Sequence, residues 1–171
     1  MSDAPQSNPS AQQTHESFLP ESTVLIVDDN AQNVELLQAF LESLPVKIAT
    51  AFDGVEALTA VEQHRPDLIL LDIMMPRMSG FQVCRKLKSD PATKDIQILM
   101  VTALNELGDV EQAAESGTDD FISKPVNKFE LLTRVKSLLR VRHLKSELER
   151  ALTYLNEVEQ DETIDTQTDS Q

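Results

Sequence analysis

The chain has 171 residues and a mass of 19.1 kDa, room for one domain of ordinary size with about 40 to 50 residues of extra segments. With 40% hydrophobic and 26% charged residues it can build a core, which excludes wholesale disorder and fibrous classes. The balance of 15 basic against 29 acidic side chains, a formal charge of -14, argues against nucleic acid or anionic lipid as the main partner and so against a DNA-binding regulator.

Residues 1–21 are rich in Ser, Gln, Pro and Asn and read as a disordered tail, with neither the basic start nor the apolar stretch of a secretory signal. The apolar runs are far shorter than the roughly 20 residues of a membrane span. No membrane insertion and a cytoplasmic location are therefore expected. The single cysteine, Cys84, falls on the apolar stripe Phe81, Val83, Cys84, Leu87 and reads as packing.

From Thr23 the pattern changes. Val24–Val27 is a short, β-branched, continuous apolar run, the mark of a parallel strand covered on both faces. Similar runs follow at Val46–Thr50, Asp67–Leu71, Ile96–Thr102 and Asp120–Ile122. Helix-period segments lie between them. Val34, Leu36, Leu37, Phe40, Leu41 and Leu44 form one stripe, and Val55, Ala57, Leu58 and Val61 a second that starts at Asp53-Gly54 and stops at Pro66. A third helix is predicted near Ser79–Ser89, a fourth near Glu106–Ser116 ending at Gly117, and a fifth from about Asn127 to about Glu159. Five βα repeats in so short a chain imply an α/β fold, a five-stranded, parallel, doubly wound, flavodoxin-like sheet with an extended C-terminal helix. In such sheets ligands sit at the carboxyl ends of the strands.

The residues that close the strands are Asp28 and Asp29 after the first, Asp72 after the third, Thr102 on the fourth and Lys124 after the fifth. Any one of these has a structural reading, as a cap, a turn or a surface residue. Together they concentrate polarity where the fold puts a ligand. Carboxylates converging on one rim repel one another unless a cation is present, and an open set of oxygen donors suits Mg²⁺. Lys124 adds a positive charge on a long stem and Thr102 a hydroxyl donor, both suited to an anion beside the metal. The set describes a phosphoryl-transfer site with Asp72 as nucleophile, forming an aspartyl phosphate.

Four blocks, Thr23-Val-Leu-Ile-Val-Asp28-Asp29-Asn30, Leu71-Asp72-Ile-Met-Met-Pro76-Arg-Met-Ser-Gly80, Val101-Thr102-Ala103 and Phe121-Ile-Ser-Lys124-Pro125, in this order and spacing resemble the receiver domain of two-component response regulators. The resemblance spans roughly residues 22–142. It implies that Asp72 accepts a phosphoryl group from a sensor histidine kinase or phosphotransfer protein, and that Asp28 and Asp29 organise Mg²⁺ with the backbone carbonyl of Met74. It implies too that Lys124 contacts the phosphoryl group, that the Lys124-Pro125 bond is cis, and that Thr102 and Phe121 are the switch pair. The exposed face of the first helix, with Asn33, Leu36 and Leu37, is where such domains meet the kinase. A metal-dependent aspartyl phosphatase is the alternative from the enzyme class. It is disfavoured because Met74 stands where such enzymes place a general acid. A phosphorylation-independent scaffold is the other alternative.

The fifth helix continues beyond the receiver match as a helical extension over 143–160. Val141, Leu144, Leu148, Ala151, Leu155 and Val158 recur at alternating spacings of three and four, a heptad seam that predicts a coiled coil and a homodimer, against the alternative of a helix folded back on its own domain. A basic collar (Arg134, Lys136, Arg140, Arg142, Lys145) precedes an acidic end. Residues 161–171 read as an acidic disordered tail, so that the output is expected to lie in a downstream protein effector. Two apolar positions, Met74 and Leu104, fall two residues beyond Asp72 and Thr102, where they would crowd a water attacking the acyl phosphate. Met74→Asn combined with Leu104→Glu is therefore expected to shorten the lifetime of phosphorylated protein, measured as the decay of the modified species; an unchanged lifetime refutes the crowding.

Overall fold

The computed structural model describes residues 19–103 and 107–168, with side chains at 19–103 and 111–158. Strand and helix alternate as β1 (Ser22–Val27), α1 (Ala31–Leu41), β2 (Val46–Ala51), α2 (Gly54–His64), β3 (Leu68–Leu71), α3 (Gly80–Ser89), β4 (Gln97–Thr102), α4 (Leu107–Glu115), β5 (Asp120–Ser123) and α5 (Lys128–Thr168). All strands are parallel, in the order β2-β1-β3-β4-β5. The order reverses beside β1, so a crevice opens between the carboxyl ends of β1 and β3.

Each strand sends alternate residues to opposite faces. Leu25, Val27, Ile69, Leu71, Ile98 and Met100 meet α2, α3 and α4 through Ala57, Val61, Val83, Cys84 and Ala113. Val24, Ile26, Leu68, Leu70, Leu99 and Val101 meet α1 and α5 through Val34, Leu37, Leu41, Leu131, Val135 and Leu139. Both faces of β1, β3 and β4 are covered, which is why those strands read as unbroken apolar runs.

The helix ends follow local chemistry. Asn30 caps α1 by accepting from the Gln32 amide at 2.9 Å, and Asp53 caps α2 by accepting from Val55 and Glu56 at 2.8 and 2.9 Å. Ser79 is not the first residue of α3 but its cap, in a reciprocal capping box with Gln82. At the end of α2, Arg65 adopts φ 44 ahead of Pro66, and past α4 Gly117 takes φ +86, where a side chain would be strained. Cys84 is buried with its Sγ 3.3 Å from the Ser116 carbonyl, and burial pushes its thiol above the ordinary range, as packing requires.

The structure corrects the chain ends. Residues 1–18 lie outside the described set, but Leu19, assigned with them to a disordered tail, is 8% exposed and packs in the layer with Val24 and Leu41. At the other end α5 runs to Thr168, past residue 160 and through most of the segment expected to be a disordered acidic tail. No Gly or Pro occurs after Pro125 to stop it. Among the described residues no helix is long and apolar enough to cross a membrane. Leu19→Ala is expected to lower stability by roughly 2 kcal/mol, measured by urea unfolding. A loss near zero would return Leu19 to the disordered tail.

Candidate functional site

The strand ladders continue for one residue past three strand ends and thereby fix the site. The Asp72 amide donates to the Val27 carbonyl at 2.9 Å, the Asp28 amide to Ala51 at 3.3 Å and the Lys124 amide to Thr102 at 2.9 Å. Asp28, Asp72 and Lys124 therefore stand on one rim with little backbone freedom. Asp28 and Asp72 are buried and Asp29 is exposed, and each offers a carboxylate oxygen within 4.8 Å of the others. Lys124 Nζ lies 2.9 Å from Asp28 Oδ2 and 3.5 Å from Asp72 Oδ1, bridging two of the carboxylates. The Lys124-Pro125 peptide is cis.

Three carboxylates against one ammonium leave two negative charges uncompensated when all are ionised. Burial is the main reason that the Asp72 carboxyl titrates high, at about 6, with the nearby Asp28 charge adding to it and Lys124 and the Met74 amide opposing. Lys124 is itself disfavoured as a cation by burial, but its hydrogen bond to Asp28 and the charge of Asp72 outweigh that and raise its pKa. The donor set fits a hard divalent cation: carboxylate oxygens, an open side at Asp29, and a charge deficit that one such ion removes. Met74 N–H donates to Asp72, while the Met74 side chain is 75% exposed.

Thr102 is buried with its hydroxyl oxygen lacking a hydrogen-bond partner, an orphan aimed at no protein acceptor. Phe121, on β5, is partly exposed rather than turned into the core. Leu104 lies outside the described residues. The site residues read from the strand ends are thus at the same end of the sheet, while Phe121 lies on β5, three strands from β1 and Asp28.

Three contributors escaped the strand-end reading. Asn33 donates its side-chain amide to both Asp28 oxygens, at 3.2 and 3.1 Å, and the Asn30 amide adds a third bond at 2.9 Å. The signal was the helical offset: Asn33 lies in the first turn of α1, facing back over the strand end. Gly80 is the third. A Cβ there would sit 2.3 Å from the Asp72 carbonyl oxygen, so only glycine allows α3 to start directly behind the phosphoryl-accepting candidate. Beside it, Arg77 at φ 68 pairs with Asp53 and holds the β3–α3 loop against α2.

A doubly wound sheet whose β1, β3 and β5 ends bring together an acidic cluster and a lysine is the arrangement that the receiver resemblance implies. Comparison with known proteins agrees. The model of the response regulator receiver domain matches residues 24–136. Over 125 residues the chain is 47% identical to the response regulator PleD of Caulobacter vibrioides, covering 73% of this chain and 28% of that protein. It is 41% identical over 117 residues to the DNA-binding dual master transcriptional regulator RpaA of Synechocystis, covering 68% of this chain and 48% of that one. Among solved structures, a receiver domain of a histidine kinase from Syntrophus aciditrophicus superposes with a TM-score of 0.66 at 37% identity, covering 70% of this chain and 90% of that one. Chemotaxis protein CheY4 of Vibrio cholerae gives a TM-score of 0.65 at 28% identity, covering 69% and 98%. The chain belongs to the response regulator receiver domain family. It spans less than half the length of PleD and RpaA.

The elevated Asp72 titration has a consequence for stability. With a folded pKa near 6 against an ordinary 3.8, the folded state holds a proton that the unfolded state has released, so this group's contribution falls as pH rises between those values and is fully unfavourable above them. Asp72→Asn is expected to stabilise the metal-free protein by roughly 1–3 kcal/mol at about pH 7.5 and by little at about pH 4. Denaturant unfolding at the two pH values reads this directly, and an equal effect at both contradicts the assignment.

Proposed function

We propose that the chain is a phosphorylation-switched module of two-component signal transduction in which Asp72 accepts a phosphoryl group from the phosphohistidine of a sensor kinase or phosphotransfer protein. The observation that carries this reading is the bridge of Lys124 between Asp28 and Asp72 at the mouth of the β1–β3 crevice. An Asp72 oxygen attacks phosphorus while the bond to the donor nitrogen breaks, which leaves an acyl phosphate on Asp72 and a neutral histidine after proton uptake. Asp28, Asp29, Asp72 and the Met74 carbonyl would hold Mg²⁺. The ion supplies charge neutralisation for the transferring oxygens. Lys124 exchanges its contact with Asp72 for one with the phosphoryl oxygens, and its bond to Asp28 keeps it oriented for that exchange. The same three-carboxylate cluster without a general acid at position 74 argues for an acceptor rather than a phosphatase acting on other molecules.

Phosphorylation brings acceptor oxygens to a site beside a hydroxyl that lacks a partner. Thr102 Oγ1 then donates to them, and movement of Thr102 leaves space into which Phe121 rotates from its partly exposed position. The surface around α4, β5 and α5 thereby differs between the two states. The kinase side has its own support. A small, partly apolar hollow of about 190 Å³ is lined by Asn33, Leu36, Leu37, Val101, Lys124, Pro125 and Val126, immediately beside the lysine. An apolar helix of a donor protein seated there would present its histidine to Asp72. A cytoplasmic location and a downstream protein effector complete the reading, both as properties of this kind of module.

The test is intact-mass measurement after incubation with acetyl phosphate and Mg²⁺. Wild type is expected to gain one phosphoryl group that is lost on treatment with hydroxylamine. Asp72→Asn gains none, and Lys124→Ala gains at least tenfold less, about 1.4 kcal/mol of transition-state stabilisation. A modification that persists in Asp72→Asn overturns the assignment.

A further inference from the structure

Beyond His143 the fifth helix leaves its own domain; Arg142 still lies 3.9 Å from Asp67, and His143 Nε2 is still buried. Leu131, Val135, Leu138 and Leu139 are buried against α1 and the sheet, but from Val141 onward the apolar stripe meets nothing. Leu144 is 64% exposed, Leu148 59% and Leu155 55%, with Val141 and Val158 exposed as well. The helix therefore does not fold back on the receiver domain, and a continuous seam of a and d positions over nearly three heptads stands open.

We propose that this seam is covered by the same segment of a second copy of the chain, running antiparallel. The charge sequence of the helix decides the direction. Between Arg134 and Lys145 there are five basic residues and no acidic one, whereas Glu147, Glu149, Glu157, Glu159, Asp161, Glu162 and Asp165 follow with Arg150 as the sole basic residue through Thr168. Two parallel helices lay collar on collar and acidic end on acidic end. Antiparallel helices lay each collar on the other copy's acidic end.

The heptad register makes this specific. With Val141, Leu148 and Leu155 at a and Leu144, Ala151 and Val158 at d, a parallel pair sets g against the following e, which is Arg140 against Lys145. An antiparallel pair in which a positions meet d positions places 141 opposite 158, 144 opposite 155 and 148 opposite 151. Its e flank then sets Lys145 against Glu159 of the second copy and Leu152 against Leu152, and its g flank sets Arg140 against Asp161. Like charges are replaced by opposite ones on both sides, and the exposed Leu152 gains an apolar neighbour at the centre. The two receiver domains then lie at opposite ends of the helix pair.

The experiment is thiol cross-linking of the full chain with a bismaleimide shorter than about 10 Å, on the order of the spacing between packed helix axes. In an antiparallel pair, residue 144 is separated from its own counterpart by about 16 Å along the axis but lies beside 155. Leu144→Cys and Leu155→Cys are each expected to cross-link poorly alone and at least tenfold better when mixed. Wild type, whose Cys84 is buried, is the control for unintended reaction. Light scattering at tens of micromolar is expected to give twice the chain mass, reduced to one chain by Leu148→Glu with acetyl-phosphate labelling of Asp72 unchanged. Efficient cross-linking of either single variant with itself would establish a parallel pair and overturn the proposal, as would a monomeric mass for wild type. The proposal does not rest on phosphoryl transfer: failure of Asp72 labelling in wild type would refute the phosphoacceptor and leave the helix pairing standing.

Discussion

The structure turns on the confinement of three carboxylates at one end of a parallel sheet. Two of them are buried, and the hydrogen bonds that hold them there are continuations of the strand ladders rather than flexible side-chain contacts. A cluster of that kind is unfavourable in isolation, because like charges at such spacing in a partly desolvated site raise one another's proton affinity. Lys124, Asn33 and the backbone amides of Asn30 and Met74 offset part of the penalty. The remaining deficit is of the kind that one divalent cation would remove. Stability and function are opposed here, as is common where a site is built before its ligand arrives.

The rest of the fold supplies rigidity to that end. Both faces of the central strands are packed, and the loop behind Asp72 is pinned by Gly80, which admits no side chain, and by the Arg77–Asp53 pair. Among the described residues of the site, Thr102 has a buried side-chain hydroxyl without a partner, and a group in that state gains most from a new acceptor. In the proposed switch, the link from charge at Asp72 to shape at β4 and β5 would be short, two neighbouring strands and one side chain.

Much of this was legible in the sequence, for reasons that are local. Continuous apolar runs mark strands covered on both sides, and reading only the residues that close them picked out Asp28, Asp29, Asp72, Thr102 and Lys124, which the fold brings to one end of the sheet. Asn33 and Gly80 were less visible because their roles are tertiary. Nothing in a helix's first turn announces that its asparagine reaches back to the preceding strand, and a glycine at a helix start reads as an ordinary turn residue until its neighbour across the loop is known. Leu19 was missed because one apolar residue in a polar segment carries no periodicity, and the length of α5 was underestimated because its polar end has low apolar content but no residue that breaks a helix. The exposure of the heptad seam is likewise a structural fact: spacing alone is equally compatible with a helix lying on its own domain.

The central claim, that the cluster is a divalent-cation site built from these particular carboxylates, is tested most directly by calorimetric titration of Mg²⁺ into wild type and into Asp28→Asn, Asp29→Asn and Asp72→Asn. One ion per chain for wild type, with affinity lowered about tenfold or more by each substitution, is the predicted result. Absence of binding to wild type, or affinities unchanged across the three variants, would contradict it.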